Sequence, residues 1–187
     1  MALTSDDWLR AAYHHFADHG PDGVRVERLA RTLGVSKGSF YWHHRDRQAL
    51  LTALLSRWEQ LSTDLIHTAE QQPCPRASVQ WVLDSLLQSV PNSVRSETQF
   101  LNWSRSDPQA ALVAARVEDR RVAFLTRQVR RSGLDPADAP LRAELLYAAL
   151  IGLLDRVGRG SAAASLPTLS THLLSLIPPR ALTPEPA

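Results

Sequence analysis

The eleven residues from Gly34 to His44, GVSKGSFYWHH, decide how the rest of the chain is read. They gather two glycines, one lysine, three aromatic residues and two histidines. Gly34 suits a helix C-terminal turn, and Ser36 suits the N-cap of a third, very short helix running from Lys37 to about His43. Upstream, a second helix is predicted from Val26 to Leu33, burying Leu29, Ala30 and Leu33, with Val35 left to plug the angle between the two helices. The first helix starts at Thr4 or Ser5 with Asp6 and Asp7 near its positive end. Leu9, Ala12 and Phe16 form its buried stripe, and it stops near His19-Gly20-Pro21. Downstream, Asp46 caps a long fourth helix whose Leu50, Leu51, Leu54, Leu55, Trp58, Leu61, Leu65 and Ile66 recur at helical spacing until Pro73 and Pro75.

A helix, a turn and a second helix from Val26 to His43 match the helix-turn-helix design, in which one helix crosses the DNA backbone and holds the next in the major groove. Gly38 lets backbone approach phosphate, and Ser39 is short enough to bond a phosphate or a base edge. Lys37 reaches guanine acceptors or acts as a point charge, while Phe40 faces inward. Tyr41, Trp42 and His43 present O–H or N–H donors on bulky bodies suited to a phosphate-lined wall. Charge agrees with this. Val24 to Arg47 holds six cations against two acids, a surplus of +4 within a chain whose net charge is only +2. Such a patch is what a polyanion-binding surface requires, because each neutralised phosphate releases condensed counterions.

The 187 residues, 44% of them apolar, are enough for a globular core. No run approaches the roughly 18 apolar residues of a membrane span, and MALTSDDWLR puts acids where a secretion signal needs bases, so a cytoplasmic protein is expected. The one cysteine, Cys74, offers neither a disulfide nor a cysteine metal site. His15 and His19 stand at i, i+4 beside His14 and Asp18, yet no third ligand is predictable and no metal or cofactor is expected. Without a Gly-rich phosphate loop, nucleophile elbow or metalloprotease signature, the chain is not expected to be an enzyme.

Beyond Pro75, helices are predicted at about 76–90, 96–104, 108–131, 138–157 and 162–176, which makes an all-α protein of about nine helices. The tail from 178 to 187 is proline-rich and expected to be disordered. Trp58, Trp81, Phe100, Trp103, Phe124 and Tyr147 are either core or the lining of a mostly apolar cavity between helices. Leu145, Ala149, Gly152, Leu153 and Leu154 form a face of small and branched residues, and Leu166, Leu169, Leu173 and Leu176 a second apolar stripe; taken alone, both would be core.

From Phe16 to Leu55 the sequence resembles the DNA-binding segment of TetR-family transcriptional regulators. The Gly34-Val35-Ser36-Lys37-Gly38 turn, Tyr41, His43 and the Ala49-Leu50-Leu51 start of the fourth helix fall where that family's pattern puts them. The resemblance implies a DNA-binding head at 1–45, a helical ligand-binding and dimerisation domain at 46–177, and double-stranded operator DNA, a small, largely apolar effector and a second copy of the chain as partners. It further implies that Lys37, Gly38, Ser39, Tyr41, Trp42 and His43 touch DNA, and that Arg25 and Arg47 bind its backbone. It turns Leu145, Ala149, Gly152, Leu153, Leu166, Leu169 and Leu173 into a four-helix dimer interface. Three positions depart from the pattern. Arg25 replaces a capping Thr or Ser, Glu27 stands where a member of the family has a base-reading arginine, and His44 replaces a large apolar residue. The implied function is a repressor released from a palindromic operator by a small molecule; alternatives are a helix-turn-helix regulator without such a ligand, and a helical metal-binding protein or enzyme.

Overall fold

A computed structural model of the chain describes residues 3–88, 92–159, 166–175 and 177. Among the described residues the fold is all-α, with nine helices: α1 Ser5–Gly23, α2 Val26–Leu33, α3 Lys37–Tyr41, α4 Arg47–Glu70, α5 Pro75–Gln88, α6 Asn92–Ser104, α7 Pro108–Arg131, α8 Ala139–Gly158 and α9 Leu166–Ser175. The expected start of the last helix at 162 and the tail at 178–187 lie outside the described residues. No described helix is long and apolar enough to cross a membrane.

The helices form two compact units, one of Met1–Leu61 with Pro91–Arg116, the other of Ser62–Val90 with Val117–Ala187. The first unit needs α6 to cover α1: Phe16 lies 4.2 Å from Phe100 and 5.8 Å from Trp103, ring centre to ring centre. Tyr13 adds a 2.7 Å hydrogen bond to Ser96. Burying these aromatic faces is what brings residues 91–116 into the same core as the N-terminal helices.

The start of α1 follows its sequence. Thr4 Oγ1 accepts from the Asp7 N–H at 3.3 Å while the Thr4 N–H donates to Asp7 Oδ2 at 2.8 Å, a reciprocal cap. The helix bends at the predicted stop, where Gly20 takes φ 60 and ψ −158, and then gains one more turn to Gly23. In the second unit the core is built from Val79, Leu83, Phe124, Leu125, Val129, Ala143, Leu146 and Tyr147, closed by Leu174 and Ile177. Arg76 ties α9 to the start of α5 by donating to the Leu174 carbonyl at 2.7 Å.

A regular pairing joins α4 to α7. Within the first unit, Gln109 donates to Thr52 at 3.2 Å, and Arg116 forks onto both carboxylate oxygens of Glu59 at 2.9 and 2.8 Å. Within the second, Arg120 donates to Thr63 at 3.1 Å and Arg127 to Glu70 at 3.1 Å. Every one of these partners is separated by 57 positions, so within each unit the two helices run parallel, and the seven-residue step between the contacts of each unit keeps them on one face.

Candidate nucleic-acid interface

The turn between α2 and α3 forms because Gly34 takes φ 69 and ψ 30, a left-handed conformation that costs glycine nothing. The Val35 N–H then returns to the Ala30 carbonyl at 2.9 Å and closes α2. Two expectations are corrected here. Ser36 occupies the N-cap of α3, yet its side chain makes no capping bond; only its carbonyl, accepting from the Ser39 N–H at 3.1 Å, starts the helix. And α3 is shorter than predicted, ending at Tyr41, because the His43 and His44 N–H groups both turn back onto the Phe40 carbonyl at 2.9 Å.

Phe40 is fully buried and fixes α3 from behind. Trp8 meets it edge-on at 5.3 Å, and the His44 ring stacks on it at 5.5 Å. His44 Nε2 is 3.2 Å from Ser5 Oγ, and burial holds the imidazole below its ordinary pKa. With the apolar side of α3 occupied, the opposite side is left open. Tyr41 is 59% exposed and Trp42 89%, the most open of the large apolar residues described. Lys37 and Gly38 are exposed beside them, and Ser39 and His43 are half-buried.

Arg25 is exposed at the N-cap of α2, where no side chain caps the helix; its Nε donates to the Asp22 carbonyl at 3.0 Å. Arg47 bonds backbone at the foot of the head. Its Nε donates to the Val24 carbonyl at 2.7 Å and its Nη2 to the Pro21 carbonyl, so the guanidinium holds the start of α4 to the junction of α1 and α2. A partner of Lys37 that sequence reading missed is Glu27: Nζ and Oε1 are 2.5 Å apart. Each holds the other in its charged form, raising the lysine pKa and lowering that of the carboxyl, mainly through this hydrogen bond. Ten positions apart on two different helices, the pair has no local spacing that would announce it.

The remaining expected sites fall into separate places. Trp58, Phe100 and Trp103 are buried in the core of the first unit, whereas Phe124 and Tyr147 belong to that of the second, with Trp81 packed against it. On α8, Leu145 is 58% exposed, and Ala149 and Gly152 are open to solvent. Ala148, Ala149, Gly152, Leu153 and Leu173 line one shallow groove there, with Arg156 and His172 at its edge. Leu154 is buried instead, and Leu141, 65% exposed one turn before Leu145, extends the open face. The side chains of Leu166 and Leu169 lie outside the described residues. Of the first-helix histidines, His15 bonds Thr32 at 2.9 Å, and the neighbouring Asp18 pairs with Arg95 at 2.7 Å.

Residues 9–54 match the family of bacterial regulatory proteins described as the tetR family. Over 73 residues the chain is 36% identical to the class A tetracycline repressor protein from transposon 1721 of Escherichia coli, covering 39% of this chain and 31% of that one. Over 54 residues it is 35% identical to the HTH-type transcriptional repressor AcnR of Corynebacterium diphtheriae, covering 29% of this chain and 28% of the relative. The chain thus spans less than a third of the length of these curated relatives. The fold extends further. A TetR transcriptional regulator from Legionella pneumophila superposes with a TM-score of 0.81 at 14% identity, over 95% of this chain and 99% of that one. A transcriptional regulator from Saccharomonospora viridis, solved in complex with choline, gives 0.80 at 20% identity over 92% and 94%. Residues 9–54 thus match the tetR family of bacterial regulatory proteins, and the all-α fold of the chain is shared with solved structures.

Proposed function

We propose that the protein is a dimeric, ligand-responsive DNA-binding regulator, a repressor that leaves a palindromic operator when a small molecule binds. The observation that carries this reading is the two-sidedness of α3, with Phe40 fully buried behind it and Tyr41 and Trp42 in water in front. Tyr41 meets Phe40 edge-on at 5.2 Å, yet most of its ring and nearly all of Trp42 stay in solvent beside a lysine and a glycine; a phosphate-lined groove supplies both partners for their polar tips and cover for their faces. Lys37, Gly38, Ser39, Tyr41, Trp42 and His43 form the DNA surface in this reading, Arg25 stands ready at its edge, and Arg47 acts mainly by holding the head together.

The apolar face of α8 around Leu145, Ala149 and Gly152 supports self-association, since small residues let helices approach closely and a two-fold axis duplicates the patch. Two heads related by that axis then meet successive major grooves about 34–36 Å apart. A small molecule bound in the helical core of each protomer, with α4 as the lever, shifts the balance between conformers that fit this spacing and conformers that do not. Such a site would be drawn either from Trp58, Phe100 and Trp103 in the first unit or from Trp81, Phe124 and Tyr147 in the second.

Titration of the purified protein onto DNA flanking its own gene, with and without candidate small molecules, tests the proposal. Salt-dependent binding that one compound abolishes is the expected result. Binding that no compound alters would leave a helix-turn-helix regulator without a small-molecule switch, and absence of any DNA binding would overturn the reading.

A further inference from the structure

Lys37 opens α3, and its ammonium rests on the carboxylate of Glu27 in the first turn of α2, with both side chains more than half exposed. A free lysine on a DNA-facing surface is satisfied by any phosphate and carries no sequence information. A lysine held by a carboxylate is different: the pair has no net charge, and a phosphate approaching Nζ also meets the negative oxygen beside it. What satisfies the pair is a surface presenting acceptors next to a donor.

The major-groove edge of a guanine–cytosine pair is such a surface. Guanine offers O6 and N7, two acceptors for an ammonium, and the cytosine N4 amino group lies beside O6 as a donor for a carboxylate. An adenine–thymine pair offers the ammonium one acceptor on either base and places a methyl group at the thymine end. Because Glu27 Oε1 lies 2.5 Å from Lys37 Nζ, any position that brings the lysine to a base edge brings the carboxylate to the same place. We propose that Glu27 and Lys37 act as one neutral reading unit for a single guanine–cytosine pair in each half-site, and that Glu27 thereby suppresses binding to unrelated DNA. This rests on the DNA-binding function proposed above.

Selection from randomised duplexes followed by sequencing, for the wild-type protein, Glu27→Gln and Lys37→Ala, tests it. Melting curves of the three should coincide, since both side chains are exposed. The wild type should discriminate about ten- to a hundredfold for guanine–cytosine at one position of each half-site. In Glu27→Gln that preference should fall below about threefold, with adenine gaining because glutamine pairs with its N6 and N7, while the other positions stay unchanged. Lys37→Ala should lose information at the same position. On duplex of unrelated sequence, Glu27→Gln should bind more tightly than wild type, with a salt slope steeper by roughly one phosphate contact. A site selected identically by wild type and Glu27→Gln overturns this proposal and leaves the DNA-binding reading standing; a wild type that selects no sequence overturns both.

Discussion

The indole of Trp58 stacks on the phenyl ring of Phe100, its centre 4.6 Å away and the two planes 5° from parallel, while its Nε1 donates to the buried carboxylate of Glu97 at 2.8 Å. One residue of α4 is therefore fixed to α6 both by stacking and by a charge-assisted hydrogen bond. Trp58→Phe keeps a ring and removes the donor, which should lower unfolding free energy by about 1–3 kcal/mol in urea denaturation. Trp58→Ala should cost more, about 3–5 kcal/mol, because a cavity opens against Phe100.

On the exposed face of α3, the opposite pattern is expected. Tyr41→Ala should keep helicity and lower the unfolding free energy by no more than about 1.5 kcal/mol, since the ring is 59% exposed and meets Phe40 only edge-on at 5.2 Å. Operator affinity should fall roughly tenfold, the worth of one hydrogen bond of about 1.5 kcal/mol to a charged group. Equal loss of fold and of DNA binding would mean that the ring serves the core.

Gly20 sits at φ 60 and ψ −158 in the bend of α1, and a Cβ there would come within 2.8 Å of Gln99 Oε1. The side chain of Gln99 can swing aside, but the backbone region is one that only glycine enters readily. Gly20→Ala should therefore destabilise the protein by about 1–3 kcal/mol, read from thermal melts.

Arg47 separates two roles by measurement. If its guanidinium holds the carbonyls of Pro21 and Val24, Arg47→Ala should lower stability by about 1–3 kcal/mol and leave the salt dependence of DNA binding nearly unchanged. Unchanged stability with a salt slope reduced by roughly one contact would assign it to phosphate instead.

His44 gives the head a pH dependence of known sign. Burial lowers its pKa from the ordinary 6.5, so the folded state favours the neutral ring and the unfolded chain takes up the proton more readily. The contribution is fully present above about pH 6.5 and is lost as the pH falls through the lower folded value. The melting temperature of His44→Phe relative to wild type should consequently rise as the pH is lowered from about 7.5 to about 5.5. A difference that stays constant across that range would show that the ring is not desolvated.

The local parts of this structure were legible because local chemistry dictates them. The Thr4 cap, the left-handed Gly34, the Asp46 carboxylate that accepts from the Ala49 N–H at 2.7 Å, and the inward Phe40 each follow from a residue and its near neighbours. What was not legible depends on long-range packing. Phe16 against Phe100 sets which helices share a core, and no spacing in the sequence encodes a contact 84 positions apart. The direction taken by Arg47 was open for the same reason, since a long side chain goes to whichever acceptors tertiary structure leaves within reach, here two backbone carbonyls. Glu27 was visible as a departure, but its partnership with Lys37 required the angle between α2 and α3.

Four pairs of partners on α4 and α7 share a separation of 57 positions, which restricts how these helices can change in length. An extra residue in α4 between Glu59 and Thr63 would rotate everything after it by about 100° and send Glu70 to the wrong side of its helix. An insertion or deletion there keeps these four pairings only when α7 acquires the same change at the matching point, which couples the lengths of the two helices.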